Sequence, residues 1–438
     1  MRRTFLKSFL LIALLTGCSL PQDSSPTPTR NTPPSPTQTV TGTPTTQPSP
    51  TQRPSSTPTS RPPTSEPSFT PSPAYSVAGT PLPTLTAGEE VTINRIEMIN
   101  ATTGWAIGSQ NEGPQHILYT EDGGQTWIDR TPPTTISQDG AWRIMAHAYF
   151  QDVNTAWAMY SANTPPPVSQ QVVWRTSDAG QTWRASQALP LTGQEPMFEP
   201  KTFSFINSQQ GWLLVHVDSG MSHEYSHLFA TDDGGESWER VMDPFGNALQ
   251  SLHNTDMLFA NPKVGWVTKD NLGVMPGAFF EKTFDGGHSW ESIFLPSPDE
   301  INLDQAGVCR TYSPSFTSQQ TRLLLLQCDP FDNGTTHQYV YATSDGGDSW
   351  QHTRLPSPVY ELEFVTVETG YALGKDIYKT VNGGQDWEKV KTVFWKGDFS
   401  FVDQVQGWAV ARKKEDIALV RTTDGAQTWD VIDPITAP

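Results

Sequence analysis

The chain has 438 residues with 28 Lys and Arg against 46 Asp and Glu, a formal charge of −18. From residue 91 onward the balance is 22 Lys and Arg against 42 Asp and Glu, or −20, so the part that can fold is more acidic than the whole. Nucleic acid is thereby excluded as a partner, because its binding rests on neutralising phosphates with a basic surface.

Residues 1–20 read MRRTFLKSFLLIALLTGCSL. Arg2, Arg3 and Lys7 precede an apolar run at 9–15, too short to span a membrane but of the right length for a secretory signal. The ending Leu15-Thr16-Gly17-Cys18 resembles a bacterial lipobox. That resemblance implies removal of a 1–17 signal peptide, lipid attachment at Cys18 and a protein held on the extracytoplasmic side of a bacterial membrane. Residues 21–88 contain 18 Pro, 17 Thr and 11 Ser with almost no aliphatic side chains. Such a stretch cannot bury enough apolar surface to offset its ordering entropy, so 18–90 is expected to be a lipid anchor followed by a disordered stalk.

The remainder, 91–438, is built on an octet. TEDGGQTW begins at Thr120, and related octets begin at Thr176, Thr231, Thr283, Thr343, Thr380 and Thr422, ending at Trp127, Trp183, Trp238, Trp290, Trp350, Trp387 and Trp429. Steps of 37 to 60 residues between these Trp signal a repeat architecture. Within the octet, Gly-Gly supplies positive-φ positions, and the preceding Asp can accept hydrogen bonds from N–H groups that a tight turn leaves free. Each octet therefore predicts a β-hairpin turn, centred on Asp122, Asp178, Asp233, Asp285, Asp345, Asn382 and Asp424. Upstream lie Gly104-Trp105, Ala156-Trp157, Gly211-Trp212, Gly265-Trp266, Gly370-Tyr371 and Gly407-Trp408, most of them preceded by an alternating run such as FSFIN from Phe203. Four strands per repeat follow, A to D.

The octets resemble the Asp-box, or BNR, repeat. Paired with a Gly-Trp-Ala strand, they are most similar to the photosystem II stability and assembly factors, with sialidases and sortilin-type receptors more distant. This resemblance implies an all-β fold, a single seven-bladed β-propeller of four-stranded antiparallel blades, and a role in photosynthetic complex assembly. Octets 2, 6 and 7 depart from the pattern at Ala179, Asn382 and Ala426, and looser hairpins are expected there.

Once Cys18 is lipidated, Cys309 and Cys328 remain as an even pair. Matching Ser318-Gln319-Gln320 to Ser208-Gln209-Gln210 centres a turn midway between them, so they are expected to face each other across a hairpin as a disulfide. Twelve of the 15 Trp belong to the octets or the Gly-Trp pattern and read as wedges between blades; Trp142, Trp174 and Trp395 remain, and Trp174 sits at a core strand position. In an A-to-D meander the octets share one rim with the A-to-B turns, and the B-to-C loops share the other. Those loops (161–171, 216–226, 269–278 and 329–338) vary in length, which makes their face the candidate binding surface. Its candidate contacts are His223, Tyr225, Met275, Phe279, Phe280 and Phe331.

No catalytic residue, metal site or cofactor is expected. The nearest string to a sialidase Arg motif, Trp142-Arg143-Ile144-Met145, lacks its Pro, and no pair stands out among acidic loop residues such as Asp218, Glu224, Asp270, Asp329 and Asp332. The reading is a non-catalytic scaffold for a protein partner or a cell-surface glycan. A sialidase- or xyloglucanase-type glycoside hydrolase and a carbohydrate-binding surface protein stand as alternatives.

Overall fold

A computed structural model describes residues 80–438 apart from 137–143, 163–170, 194, 222, 244–248, 250–251, 317–320 and 333. The signal segment, Cys18, nearly all of the stalk, Trp142 and most of the 161–171 loop lie outside the described residues. Among the described residues every regular element is a β-strand apart from one 3-10 turn, Leu303–Gln305. The strands make four-stranded antiparallel meanders in chain order over 92–129, 144–185, 199–242, 253–294, 308–354, 359–392 and 396–432, named here blades 1 to 7 with strands A to D. They are the blades of a β-propeller. Blades 4 and 5 join into one eight-stranded sheet where Asp270 of strand B pairs with Arg310 of the next strand A.

The Gly-Trp pattern is explained by contacts between blades. Gly265 opens strand B of blade 4 opposite Phe259 of strand A, and a Cβ on that glycine would lie 2.6 Å from the Phe259 ring. The ring needs that space because its other face stacks on Trp212 of blade 3 at 3.8 Å. The same Trp–Phe–Gly sandwich joins Trp157 to Phe205 at 3.7 Å, and Tyr371 takes the Trp place against Phe401 at 4.0 Å. Each indole then donates into the rim of the next blade: Trp157 Nε1 to Gly234 O (2.7 Å), Trp212 Nε1 to Gly286 O (2.9 Å) and Trp408 Nε1 to Gly123 O (2.9 Å). Strand B is buried on both faces as a result, from Gly104–Ser109 to Gly370–Gly374.

A clasp joins the chain's last residues to blade 1. Ile435–Thr436 adds a fifth strand to blade 1, parallel to Thr126–Asp129, and residues 86–91 bond to its other side. Sequence patterning carried no sign of this strand.

Candidate functional site

The octet rim is uniform in chemistry. In octet 1, Thr120 Oγ1 donates to Asp122 Oδ1 and accepts from Gly124 N, while Asp122 accepts from Gln125 N, Thr126 N and Thr126 Oγ1 at 2.7 to 3.0 Å. A–B turns sit on the same rim, since Gly123 N donates to Thr102 O and Gly234 N to Gln209 O. Burial raises the Asp285 carboxyl, but hydrogen bonds from the Ser289 hydroxyl and N–H and the Thr283 hydroxyl outweigh it and hold the group at about 2. Asp345 is held low in the same way by Ser349 and Thr343.

The departing octets keep these bonds, so the expected loosening is corrected. Ala179 and Ala426 take the left-handed conformation at φ 57° and 71°, and Gly180 N and Ala426 N still reach their Thr hydroxyls. In octet 6 the polarity is reversed. Asn382 Nδ2 donates to Asp386 Oδ2 at 2.9 Å, and Asp386 stands where the other octets have Ser or Thr. One exchange compensates the other. Asp233→Ala is expected to leave Ser237 N and the Thr231 and Ser237 hydroxyls without their acceptor, costing about 1 to 3 kcal/mol in urea unfolding. An unchanged midpoint would overturn the structural role.

At the opposite face the candidate contacts divide. Phe331 is 71% exposed, and His223 is exposed beside the half-buried Tyr225. Met275 is half-buried, and its carbonyl accepts from Asn271 Nδ2. Phe279 and Phe280 are corrected: both are buried, because they begin strand C of blade 4, whose two faces are covered by the neighbouring sheets. Lys269, the first residue of the loop assigned to 269–278, is also buried, with Nζ donating to Asn254 Oδ1 at 2.7 Å and burial lowering its ammonium to about 8. Strand, not loop, makes up 216–220 and 223–226. The two runs form a ladder in which Asp218 pairs with Tyr225 and Gly220 with His223, with Met221 at its tip 93% exposed.

Two residues that sequence reasoning passed over, Arg310 and Asn271, organise the blade 4 to 5 joint with the expected cysteine pair. Arg310 lies between Asp270 Oδ2 (2.7 Å) and Asp329 Oδ2 (2.5 Å). Asn271 Oδ1 accepts from Cys309 N and Gly273 N, and its Nδ2 donates to Gly277 O. Cys309 and Cys328 are cross-strand partners with their sulfurs 2.08 Å apart.

Down the centre, first strands carry ionisable groups that sequence alternation did not single out. Glu363 Oε1 accepts from Phe401 N of the next blade at 2.7 Å, and Glu361 accepts from Phe399 N. Burial pushes the Glu361 carboxyl up to about 8, with Asp398 and Glu97 adding repulsion, and raises Glu363 well above its ordinary value with Glu361 adding to it. Burial also raises Glu97, and it brings Asp256 to about 6. Arg95 lowers Glu97, Asp256 and Glu361. A cavity of about 210 Å³ opens where Arg95, His147, Tyr149 and Lys201 meet. Burial brings the His147 imidazole down to about 4, so the ring is neutral there.

No family model matches the sequence, and no curated protein does. Among solved structures, one titled YCF48 bound to D1 peptide is 16% identical, covering 79% of this chain and 96% of its own, with a TM-score of 0.48. A PL25 ulvan lyase bound to a sulfated disaccharide unit is 11% identical over 78% of this chain and 95% of its own (TM-score 0.44). A puromycin-hydrolyzing peptidase of Mycobacterium tuberculosis is 11% identical over 81% of this chain and 56% of its own (TM-score 0.49). Likenesses this distant carry no function to the present chain.

Proposed function

We propose that the blades close as one seven-bladed ring, carried on a lipid-anchored extracytoplasmic stalk, and that this ring is a non-catalytic scaffold for a protein partner. The ring reading is supported by packing of Thr92–Met98 against Lys396–Phe401 and Gly407–Lys413, which brings blade 7 to blade 1. One observation carries the binding reading: the B–C segments, which differ from blade to blade, expose Met221, Val274 and Phe331, the second on a loop closed by Asn271, whereas the octet rim, although it exposes Phe284 and Val381, repeats the same turn. Rigid projecting segments on a fixed scaffold are where recognition concentrates. Assembly factors of photosystem II, which the octets resemble, are the class of scaffold envisaged.

The glycosidase reading has one observation in its favour, the raised Glu361 carboxyl, since a general acid must hold its proton near neutral pH. Glu361 and Glu363, however, accept backbone bonds from the adjacent blade, which accounts for both as inter-blade ties. Cross-linked capture from the source organism's own membranes tests the scaffold. The expected result is a protein recovered with the wild-type chain and lost when Cys18→Ser releases it from the membrane; turnover of a sialoside or β-glucan by the purified chain would overturn it.

A further inference from the structure

We propose that the patch formed by Val274, Phe294 and Phe331 across blades 4 and 5 docks a cationic protein segment bearing apolar side chains, an inference that rests on the protein-binding reading above. Isolated exposed apolar residues are ordinary. These three are brought together by two glycines that admit aromatic rings. A Cβ on Gly273 would lie 2.9 Å from the Phe331 ring, and one on Gly277 would lie 3.2 Å from the Phe294 ring. The 271–277 loop thus runs between the two rings with Val274 on it, and the three side chains are 57%, 53% and 71% exposed in chain order.

The patch is held in place before any partner arrives. Asn271 closes the loop on itself and ties it to Cys309, the disulfide fixes Cys309 to Cys328, and Arg310 binds the two blades through Asp270 and Asp329. A surface already fixed in its bound shape loses little conformational entropy on docking.

Charge selects the occupant. Asp304 and Asp332 are exposed beside the patch: Asp304 Oδ1 lies 3.3 Å from where a Gly277 Cβ would be, and Asp332 follows Phe331 in the chain. Of the nearby cations, Lys269 is buried on Asn254, Lys282 and Arg322 approach Gly346 on the opposite rim, Arg310 is held by two carboxylates, and Arg354 is paired with Tyr339 on the last strand of blade 5. Lys or Arg flanking a Leu or Phe anchor would therefore meet the exposed carboxylates of Asp304 and Asp332 beside an apolar centre. A second copy of the chain, at −20 over 91–438, would be repelled, and the Pro/Thr/Ser segment at 21–88 carries only Arg30, Arg53 and Arg61 against Asp23 and Glu66, none of them beside a Leu or Phe.

The probe is a short fluorescent peptide of Lys, Leu and Phe, titrated into the full chain by anisotropy beside a control with Glu for Lys. The Lys peptide is expected to bind at least about tenfold more tightly than the control, and less tightly as salt rises. Val274→Ser with Phe331→Ser, and separately Asp304→Lys with Asp332→Lys, are each expected to weaken it about tenfold or more. Glu121→Lys with Asp348→Lys at the octet rim is expected to change it less than about twofold. Equal binding of both peptides, no effect of the patch variants, or an equal loss from the rim variant would overturn the proposal. So would concentration-dependent self-association abolished by Phe331→Ser, which would assign the patch to a second copy. Membrane capture that survives the patch variants would overturn this inference while leaving the scaffold reading intact.

Discussion

Deletion of residues 434–438 is expected to lower stability by about 5 kcal/mol, from the loss of five backbone hydrogen bonds at about 1 kcal/mol each. The bonds are Gly88 N to Thr436 O, Val91 N to Pro434 O, Ile435 N to Gln125 O, Thr436 N to Glu89 O and Ala437 N to Trp127 O, all between 2.7 and 3.1 Å. Thr436 Oγ1 adds a donation to Thr86 O and accepts from Gln110 Nε2. The deletion strips one edge of Thr126–Asp129 and releases 86–91, the segment that leads into the first strand of blade 1. A loss this large should appear in urea unfolding and as proteolytic cleavage near residues 86–91. A truncated chain with the wild-type midpoint would show that the strand adds to blade 1 without stabilising it. Ile435→Pro is a milder second probe, since Ile435 N donates to Gln125 O and proline has no N–H.

What the sequence disclosed and what it concealed follow from locality. Octets were legible because the bonds that shape the turn lie within eight residues: the Thr120 and Asp122 side chains meet each other, Gly124 N and the Thr126 N–H and hydroxyl. The Gly-Trp pattern marked strand B, yet its reason, a Phe ring held between a Trp of one blade and a Gly of the next, spans some fifty residues and has no local trace. The clasp was concealed for the same reason, since Ile435 and Thr436 find their partners at Thr126 and Trp127 and no alternation announces so short a strand. Phe279 and Phe280 misled because they follow a glycine-containing loop, whereas two adjacent buried aromatics are what a strand covered on both faces requires. Lys269 and the first-strand carboxylates went unmarked because nothing local separates a buried charge from a solvated one, and their surroundings, such as Glu224 for Lys269 and Asp398 for Glu361, come from other blades.

Those carboxylates carry the second large effect. The Glu361→Gln, Glu363→Gln double variant is expected to be more stable than wild type by on the order of 3 kcal/mol at pH about 9 and to differ little at pH about 4. Each glutamine carbonyl can still accept from Phe399 N or Phe401 N, so the ties between blades 6 and 7 are kept while the charge is removed. Both folded-state carboxyls hold their proton above the ordinary 4.5, Glu361 to about 8, because burial penalises the anion and neighbouring carboxylates repel it. A folded state that binds more protons than the unfolded chain loses stability as pH rises. The contribution is therefore whole below about 4.5 and declines as pH rises through the interval to about 8. Asp256, raised from 3.8 to about 6, adds to the decline at its lower end. The octets act with the opposite sign: the Asp285 carboxyl is held at about 2, so its contribution is whole above 3.8 and lost as pH falls to about 2. Wild-type stability should thus peak near pH 4 to 5 and fall on both sides, and the double variant should flatten the alkaline limb alone. Urea unfolding from pH about 3 to 9 checks this, and a wild-type profile that is flat from pH about 5 to 9 would mean that the first-strand carboxylates are ionised and solvated in the folded protein.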